Sequence, residues 1–256
     1  MTTATTNLVL LPGWGMNSAV WAALEQPPLD AFARRLSLHP IDLPGHGGQA
    51  WDAERTRLSD WADAALQQAP EQAIWLGWSL GGLVALQAAR QAPKRVQALI
   101  LMTATPRFVQ ARDWRVAMAP ETLARFNAGL LEDAAATLHQ FLALQVRGSD
   151  AARPTLRALR AELAQRPAPR PEALATGLTL LAEEDLRGPL PDIAAPALWL
   201  FGERDTLVPA AVAERVGLLM PGARTRVIAG AAHAPFLSHG AEVAAELQAF
   251  LDEVCP

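Results

Sequence analysis

The turn Gly77-Trp78-Ser79-Leu80-Gly81 constrains this chain more than any other segment. An apolar run, Ala73-Ile-Trp-Leu-Gly77, leads into it, and a helix-forming run to Gln91 leads out. A strand that becomes a helix through so tight a turn forces the central serine into a strained backbone. The flanking glycines leave room where a Cβ would collide with the neighbouring strand and helix. Ser79 is thereby presented at a helix N-terminus, where the dipole and free N–H groups favour developing negative charge. Three fixed positions in five arise by chance in many proteins. The weight of the pattern comes from the strand before it, the helix after it and Gly82 continuing the small-residue run.

The same alternation recurs along the chain. Short apolar runs bounded by Gly, Pro or Asp separate amphipathic stretches, which predicts an α/β fold: a mostly parallel sheet with helices on both faces. Strands are expected over residues 7–11, 36–42, 73–77, 98–102, 197–202 and 224–228, and helices over 19–24, 58–69, 80–91, 210–219 and 241–253. Between Met102 and Ala197 the pattern changes to Ala- and Leu-rich helical periodicity without a convincing strand. Helices are expected there over 123–129, 134–144, 152–163 and 174–183, the last after the break Pro167-Ala-Pro-Arg-Pro171. An insertion after one strand of such a sheet reads as a helical cap over a ligand site at the strands' carboxyl ends. The expected division is a core of residues 1–106 and 188–256 with a cap of 107–187, folding as one unit. A chain of 256 residues, 51% of them hydrophobic, is long enough to bury one substantial core.

A serine hydroxyl is a poor nucleophile near neutral pH. It needs a histidine to take its proton and a carboxylate to hold the imidazole in the right tautomer. In sheets with this kind of turn the partners follow in the order Ser, Asp or Glu, His, each in a loop after a later strand. Asp205 stands in Phe201-Gly-Glu-Arg-Asp-Thr-Leu-Val-Pro209, directly after an apolar run. A loop aspartate is often only a turn former, and Glu203 is a competing acid; position in the loop favours Asp205. Of the five histidines, His39 falls at a strand edge, His46 in a Pro-Gly loop, His139 in the cap and His239 at a helix start. Only His233, in Gly230-Ala-Ala-His-Ala-Pro-Phe236, occupies the loop where a base is needed. An oxyanion hole is expected from the backbone N–H of Leu80 and that of Trp14, in the loop Leu11-Pro-Gly-Trp-Gly15. The Trp14 indole would also wall the pocket, unless it is one core tryptophan among eight. The loop Asp42-Leu-Pro-Gly-His-Gly47 reads as a structural turn at the same rim.

Charge and cysteine usage narrow the partners. A formal charge of -4 argues against nucleic acid, because neutralising phosphates needs a basic excess. The single cysteine, Cys255, can form neither an intramolecular disulfide nor a thiolate metal site, which suits a reducing cytoplasm. No metal and no organic cofactor is implied. Met1-Thr-Thr-Ala-Thr-Thr lacks a basic leader region, and the run from Leu8 to Leu11 is too short to act as a signal or to enter a membrane. A cytoplasmic monomer is expected. From Arg147 to Arg170 six arginines stand against Asp150 and Glu162. Arg153, Arg157 and Arg160 are spaced to share a helix face, fit either for an acidic partner or a phosphate, or for plain solvation.

On these residues the chain resembles the pimeloyl-acyl-carrier protein methyl ester esterase family of biotin synthesis, within the α/β-hydrolase superfamily. The resemblance covers nearly the whole chain. It rests on Leu11-Pro-Gly-Trp-Gly-Met-Asn17, Ile41-Asp-Leu-Pro-Gly45, the stretch from Ala73 to Ala85, Phe141-Leu-Ala-Leu-Gln145 and Ala231-Ala-His-Ala-Pro-Phe236. It implies the α/β-hydrolase fold and cleavage of a methyl ester on an acyl-carrier protein, a small-molecule ester carried by a protein partner. By motif, Trp14, Ser79, Leu80, Phe141, Leu142, Ala143, Leu144, Gln145 and His233 would touch substrate. The family grips its acidic carrier with cap arginines; Arg153 and Arg157 fall at matching positions, Arg160 shares their face, and two further positions hold Ala136 and Gln140. Pro12 stands where the family usually has histidine, and little chain precedes Asn7 for the antiparallel strands that often open this fold. A general short-chain carboxylesterase, or a lyase or carbon–carbon hydrolase, is the alternative on the same scaffold. A non-catalytic receptor is disfavoured because serine, acid and base are all present, and serine in the turn disfavours enzymes that attack with aspartate.

Overall fold

In a strand with both faces covered, alternate side chains enter different cores, and this chain follows that rule. The computed structural model describes residues 6–255. In β1 (Thr6–Leu11), Leu8 and Leu10 pack on one side of the sheet while Val9 and Leu11 pack on the other. The first side is covered by a 3-10 helix (Ser18–Glu25), α1 (Asp30–Ala33) and the C-terminal helix, through Val20, Trp21, Phe32, Leu247 and Phe250. After β2 (Leu36–Pro40), α2 (Leu58–Gln68) covers the second side with Leu58, Trp61 and Ala65. Then come β3 (Ala73–Trp78), α3 (Leu80–Gln91) on the second side, and β4 (Val96–Met102).

Four helices follow before the sheet resumes: α4 (Pro120–Glu132), α5 (Ala134–Gln145), α6 (Ala152–Leu163) and α7 (Pro171–Glu183). The chain then forms β5 (Ala197–Gly202), α8 (Val212–Leu219), β6 (Arg224–Ile228), α9 (Pro235–Ser238) and α10 (Gly240–Val254). Among the described residues the sheet has six strands in the order β2-β1-β3-β4-β5-β6, every pair parallel. From β1 the chain steps outward to β2, then returns to the other side of β1 as β3. The strand order therefore reverses between β1 and β3, the kind of position at whose carboxyl-end loops open α/β sheets bind their ligands.

The inserted helices have a closed neck. The Leu186 N–H donates to the Pro106 carbonyl (2.8 Å), and Asp185 pairs with Arg107 (2.9 Å) and Arg187 (2.7 Å). Arg187 chiefly holds the Asp185 carboxyl down at about 2. Trp14 fastens the insertion to the core. Its indole N–H donates to the Leu174 carbonyl in α7 (2.9 Å), and its ring meets Phe141 of α5 edge-on at 4.6 Å. α7 approaches so closely that a Cβ on Gly177 would lie 2.7 Å from the Trp14 ring.

Differences from the sequence expectation have local causes. The second strand stops at Pro40, and Asp42 instead turns its carboxylate to the Ser18 N–H (2.5 Å) and to Arg166 (3.3 Å). The run at 19–24 winds as a 3-10 helix, capped by the Asn17 side chain accepting from the Ala19 N–H (3.0 Å). α1 and α9 are single turns, too short to show a helical period in the sequence. The described residues begin with β1, so the readings that bear on Met1 to Thr5, a missing leader and little room for opening strands, lie outside them.

His46 fixes the turn after β2. It is fully buried, with Nδ1 3.0 Å from the Pro44 carbonyl and Nε2 without a partner, and its ring meets Trp61 edge-on. Burial pushes its pKa below the ordinary histidine value, outweighing the Pro44 hydrogen bond and the Asp42 charge. The unfolded chain thus takes up a proton near pH 6.5 that native His46 refuses, so stability falls as pH drops from about 6.5 towards the native value. Denaturant titrations at pH 7.5 and 5.5 should show wild type losing more stability than His46→Asn, by at most about 1.4 kcal/mol per pH unit for one proton. Equal losses would show that His46 is not the group responsible.

Candidate active site

Ser79 occupies the tight turn between β3 and α3 with φ 56° and ψ −119°, a conformation that costs a side-chain-bearing residue about 1–3 kcal/mol. Its surroundings hold it there. The Ser79 N–H donates to the Met102 carbonyl (3.0 Å) and its own carbonyl accepts from Gly82 (2.8 Å). A Cβ on Gly77 would collide with the Gly81 carbonyl, and one on Gly81 with the Leu11 and Pro12 carbonyls. The loop after β1 runs directly against the serine, since a Cβ on Gly13 would stand 3.3 Å from the Ser79 Cβ.

The other two groups arrive from strands further along the same sheet edge. Asp205 follows β5 and His233 follows β6, and the imidazole Nδ1 lies 2.7 Å from Asp205 Oδ2. The other carboxylate oxygen accepts from the Leu207 (2.8 Å) and Val208 (3.0 Å) N–H groups, so the buried charge has fixed partners. A carboxylate at Nδ1 assigns the proton to that nitrogen and leaves the Nε2 lone pair free to accept another. Among the described residues His233 Nε2 is buried without a hydrogen-bond partner. The Ser79–His233 bond is thus not closed in this structure, as is common before substrate binds. Ser79 is 3% exposed, His233 1% and Asp205 5%, a dry setting in which each dipole acts strongly.

Glu203, the competing acid, points elsewhere: its carboxylate accepts from the Gly230 N–H (2.8 Å) and is largely solvated. The main chain of His233 is held at three points. Its carbonyl accepts from the Trp78 indole (2.7 Å) and the Thr103 hydroxyl (2.8 Å), and its N–H donates to the Gln145 carbonyl (2.9 Å). No motif points to these contacts, because neither a tryptophan inside the turn nor a threonine at a strand end belongs to one. The remaining histidines stay apart. His39 meets Asn7 on the edge strand, His139 is exposed on α5, and His239 lies beside Ser238 at the start of α10.

Two donors stand ready near the serine. Leu80 is the first residue of α3 and has no intrahelical acceptor, and among the described residues neither its N–H nor that of Trp14 finds a protein partner. The Trp14 indole is wholly buried between α5 and α7. The segment from Phe141 to Gln145 is helical, so its residues face different ways. Phe141 and Gln145 turn inward, and the Gln145 Oε1 is buried without a partner. Leu142 packs with Val146 and Leu159, while Ala143 and Leu144 border an outer groove of about 510 Å³ with Arg125, Phe126, Gln140 and Arg147. The rings of Phe126, Phe141 and Trp14 are in series, at 5.2 Å and 4.6 Å, from that groove to the loop beside Ser79.

Arg153, Arg157 and Arg160 are exposed on α6, and among the described residues none of them is in an ion pair, nor are Arg125 and Arg147. Among the described residues no group of three or more His, Cys, Asp or Glu side chains is placed to hold a metal, and no helix is long and apolar enough to cross a membrane.

Comparison with known proteins gives a consistent result. The Alpha/beta hydrolase family matches residues 8–246. A pimeloyl-acyl-carrier protein methyl ester esterase from Stenotrophomonas maltophilia is 45% identical over 250 residues, 98% of this chain and 94% of that protein. One of the same name from Photobacterium profundum is 44% identical over 245 residues, 96% of this chain and 94% of the relative. Among solved structures, an esterase from Exiguobacterium antarcticum superimposes with a TM-score of 0.84 at 21% identity, covering 96% of this chain and 92% of that one, a likeness of fold alone.

Proposed function

Because the chain belongs to the Alpha/beta hydrolase family and, within it, to the pimeloyl-acyl-carrier protein methyl ester esterases, we propose that Ser79, His233 and Asp205 are the groups through which it works. The protein is a carboxylic ester hydrolase that cleaves the methyl ester of pimeloyl-acyl-carrier protein in biotin synthesis. The buried 2.7 Å contact between Asp205 and His233, at the sheet edge that also carries the strained Ser79, supports the assignment of roles.

His233 Nε2 removes the Ser79 proton as Oγ attacks the ester carbonyl. The negative charge moves to the carbonyl oxygen, where the Trp14 and Leu80 N–H groups receive it. The tetrahedral centre collapses, the bond to the methoxy oxygen breaks, and His233 returns the proton so that methanol leaves. Water then attacks the acyl-serine by the same route, with His233 as base, and frees the carboxylic acid and the serine. Asp205 stays ionised throughout; it fixes the tautomer and stabilises the imidazolium. Phe141 and Gln145 border the acyl site from the cap, and Leu142, Ala143 and Leu144 shape the helix that carries them.

Residues 107–187 act as the cap and 1–106 with 188–256 as the core. The hydrogen bond from Leu186 to Pro106 at the neck and the Trp14 anchor support treating them as one folding unit. Arg153, Arg157 and Arg160, exposed and without an ion pair among the described residues, are the surface for the acidic carrier. Arg125 and Arg147 flank the groove in which Gln140 stands, and they supply positive charge at that second spot. One chain carries every group invoked, so a monomer suffices, and the lone Cys255 suits a reducing cytoplasm. Neither nucleic acid nor a membrane takes part.

Purified protein should hydrolyse pimeloyl methyl ester on its carrier, and Ser79→Ala should lower turnover by roughly 10⁴-fold or more. Near-normal activity in that variant would remove the serine from the mechanism. Fast cleavage of simple esters with none on the carrier would reduce the assignment to a general carboxylesterase. Reversing charge with Arg153→Glu and Arg157→Glu should raise KM for the carrier-borne ester about tenfold, at the scale of lost charge-assisted contacts, and leave a carrier-free ester unaffected. An unchanged KM would place the carrier elsewhere.

A further inference from the structure

Among the described residues only two besides glycine have positive φ, Ser79 and Thr103. They are neighbours. β3 and β4 pair with Trp78 opposite Met102, so Thr103 is the first residue past β4 as Ser79 is the first past β3. The Ser79 N–H donates to the carbonyl of Met102, and the Thr103 N–H donates to the Leu200 carbonyl of the next strand (2.7 Å). A β-branched residue at φ 42° is a true outlier, tolerated only where its surroundings over-determine it. The strain at Ser79 has a purpose in the proposed chemistry. The strain at Thr103 needs one.

Its side chain supplies it. Thr103 is wholly buried, and its hydroxyl donates to the His233 carbonyl (2.8 Å), the oxygen that also accepts from the Trp78 indole (2.7 Å). A carbonyl has two lone pairs, and here both are taken by side chains rooted in the strand ends that flank the nucleophile. We propose that Thr103 is a positioning residue, held in a left-handed conformation so that, together with Trp78, it sets the height of the His233 main chain above Ser79. The third anchor, from the His233 N–H to the Gln145 carbonyl, comes from the cap, so core and cap jointly fix the base. This inference rests on the reading of Ser79 and His233 as nucleophile and base. It adds that the imidazole is placed through its backbone as well as through Asp205.

The test compares Thr103→Val, Thr103→Ala and Thr103→Ser, assayed on a carrier-free methyl ester and by the rate of inactivation with a fluorophosphonate. Val keeps the shape without the hydroxyl, Ser keeps the hydroxyl without the methyl, and Ala lacks both. Small misplacements of a catalytic group cost up to about a hundredfold, so kcat and the inactivation rate should fall about tenfold in Val and Ala, with KM within about twofold. Ser should stay within about threefold of wild type. The idea is overturned if Val and Ala keep wild-type kcat, if Ser falls as far as Ala, or if the loss lies in KM. If Val does not fold, the Ser and Ala pair, which differ by one oxygen, decides the matter. Failure of the wild type to be labelled at Ser79 would strike the underlying mechanism instead, whereas normal wild-type labelling with unaffected variants would strike only the role of Thr103.

Discussion

The carboxylate of Asp205 and the imidazole of His233, held 2.7 Å apart in a region shut off from water, form the contact around which the strand-end loops of this protein are arranged. Burying an ionised aspartate is costly unless its oxygens are satisfied, and here the Leu207 and Val208 N–H groups and the His233 Nδ1–H do so. That arrangement requires the loops after β5 and β6 to lie side by side. They do so because the Arg204 N–H bonds the Ala231 carbonyl (2.8 Å) and the Glu203 N–H bonds the Ile228 carbonyl (3.0 Å). Glu203 contributes further by accepting from Gly230, which gives the second acid of that loop a structural task distinct from the chemistry.

The parallel sheet makes such a meeting possible. Every strand ends at the same edge, so residues far apart in sequence emerge together, and the reversal of strand order between β1 and β3 lies beside them, where sheets of this kind bind ligands. Backbone packed against backbone at Gly77, Gly81 and Gly13 sets the serine rigidly, while the helices inserted after β4 close over it. Trp14 belongs to both layers. Its loop runs against the turn that holds Ser79, and its indole donates to α7 and meets Phe141 of α5 edge-on. Movement of the inserted helices is therefore expected to be felt at the loop beside Ser79 and, through the Gln145 carbonyl, at His233.

Much of this was legible in the chain itself. β5, β6, α3 and α6 begin and end where the apolar runs and turn residues place them, because each is bounded by Gly, Pro or a polar cluster. Ser79 and Asp205 stand out because each follows an apolar strand, and His233 because it stands in the loop after β6, where the ends of a parallel sheet converge. Contacts that depend on three-dimensional packing left no trace. Nothing in the order of residues says that Thr103 adopts positive φ, that the Trp78 indole turns to the His233 carbonyl, or that Asp42 abandons its strand for Ser18. The motif from Phe141 to Gln145 reads as one block in sequence, yet a helix rotates about 100° per residue and sends its members to three different environments.

The most direct measurement is to trap the covalent intermediate. The protein would be mixed with an excess of an activated pimelate ester, quenched in acid within milliseconds, digested and mapped by mass spectrometry. One pimeloyl group per chain is expected on the peptide containing Ser79, formed faster than the steady-state rate and absent from other peptides. Rapid turnover with no acyl-peptide, or an acyl group on another residue, would contradict it.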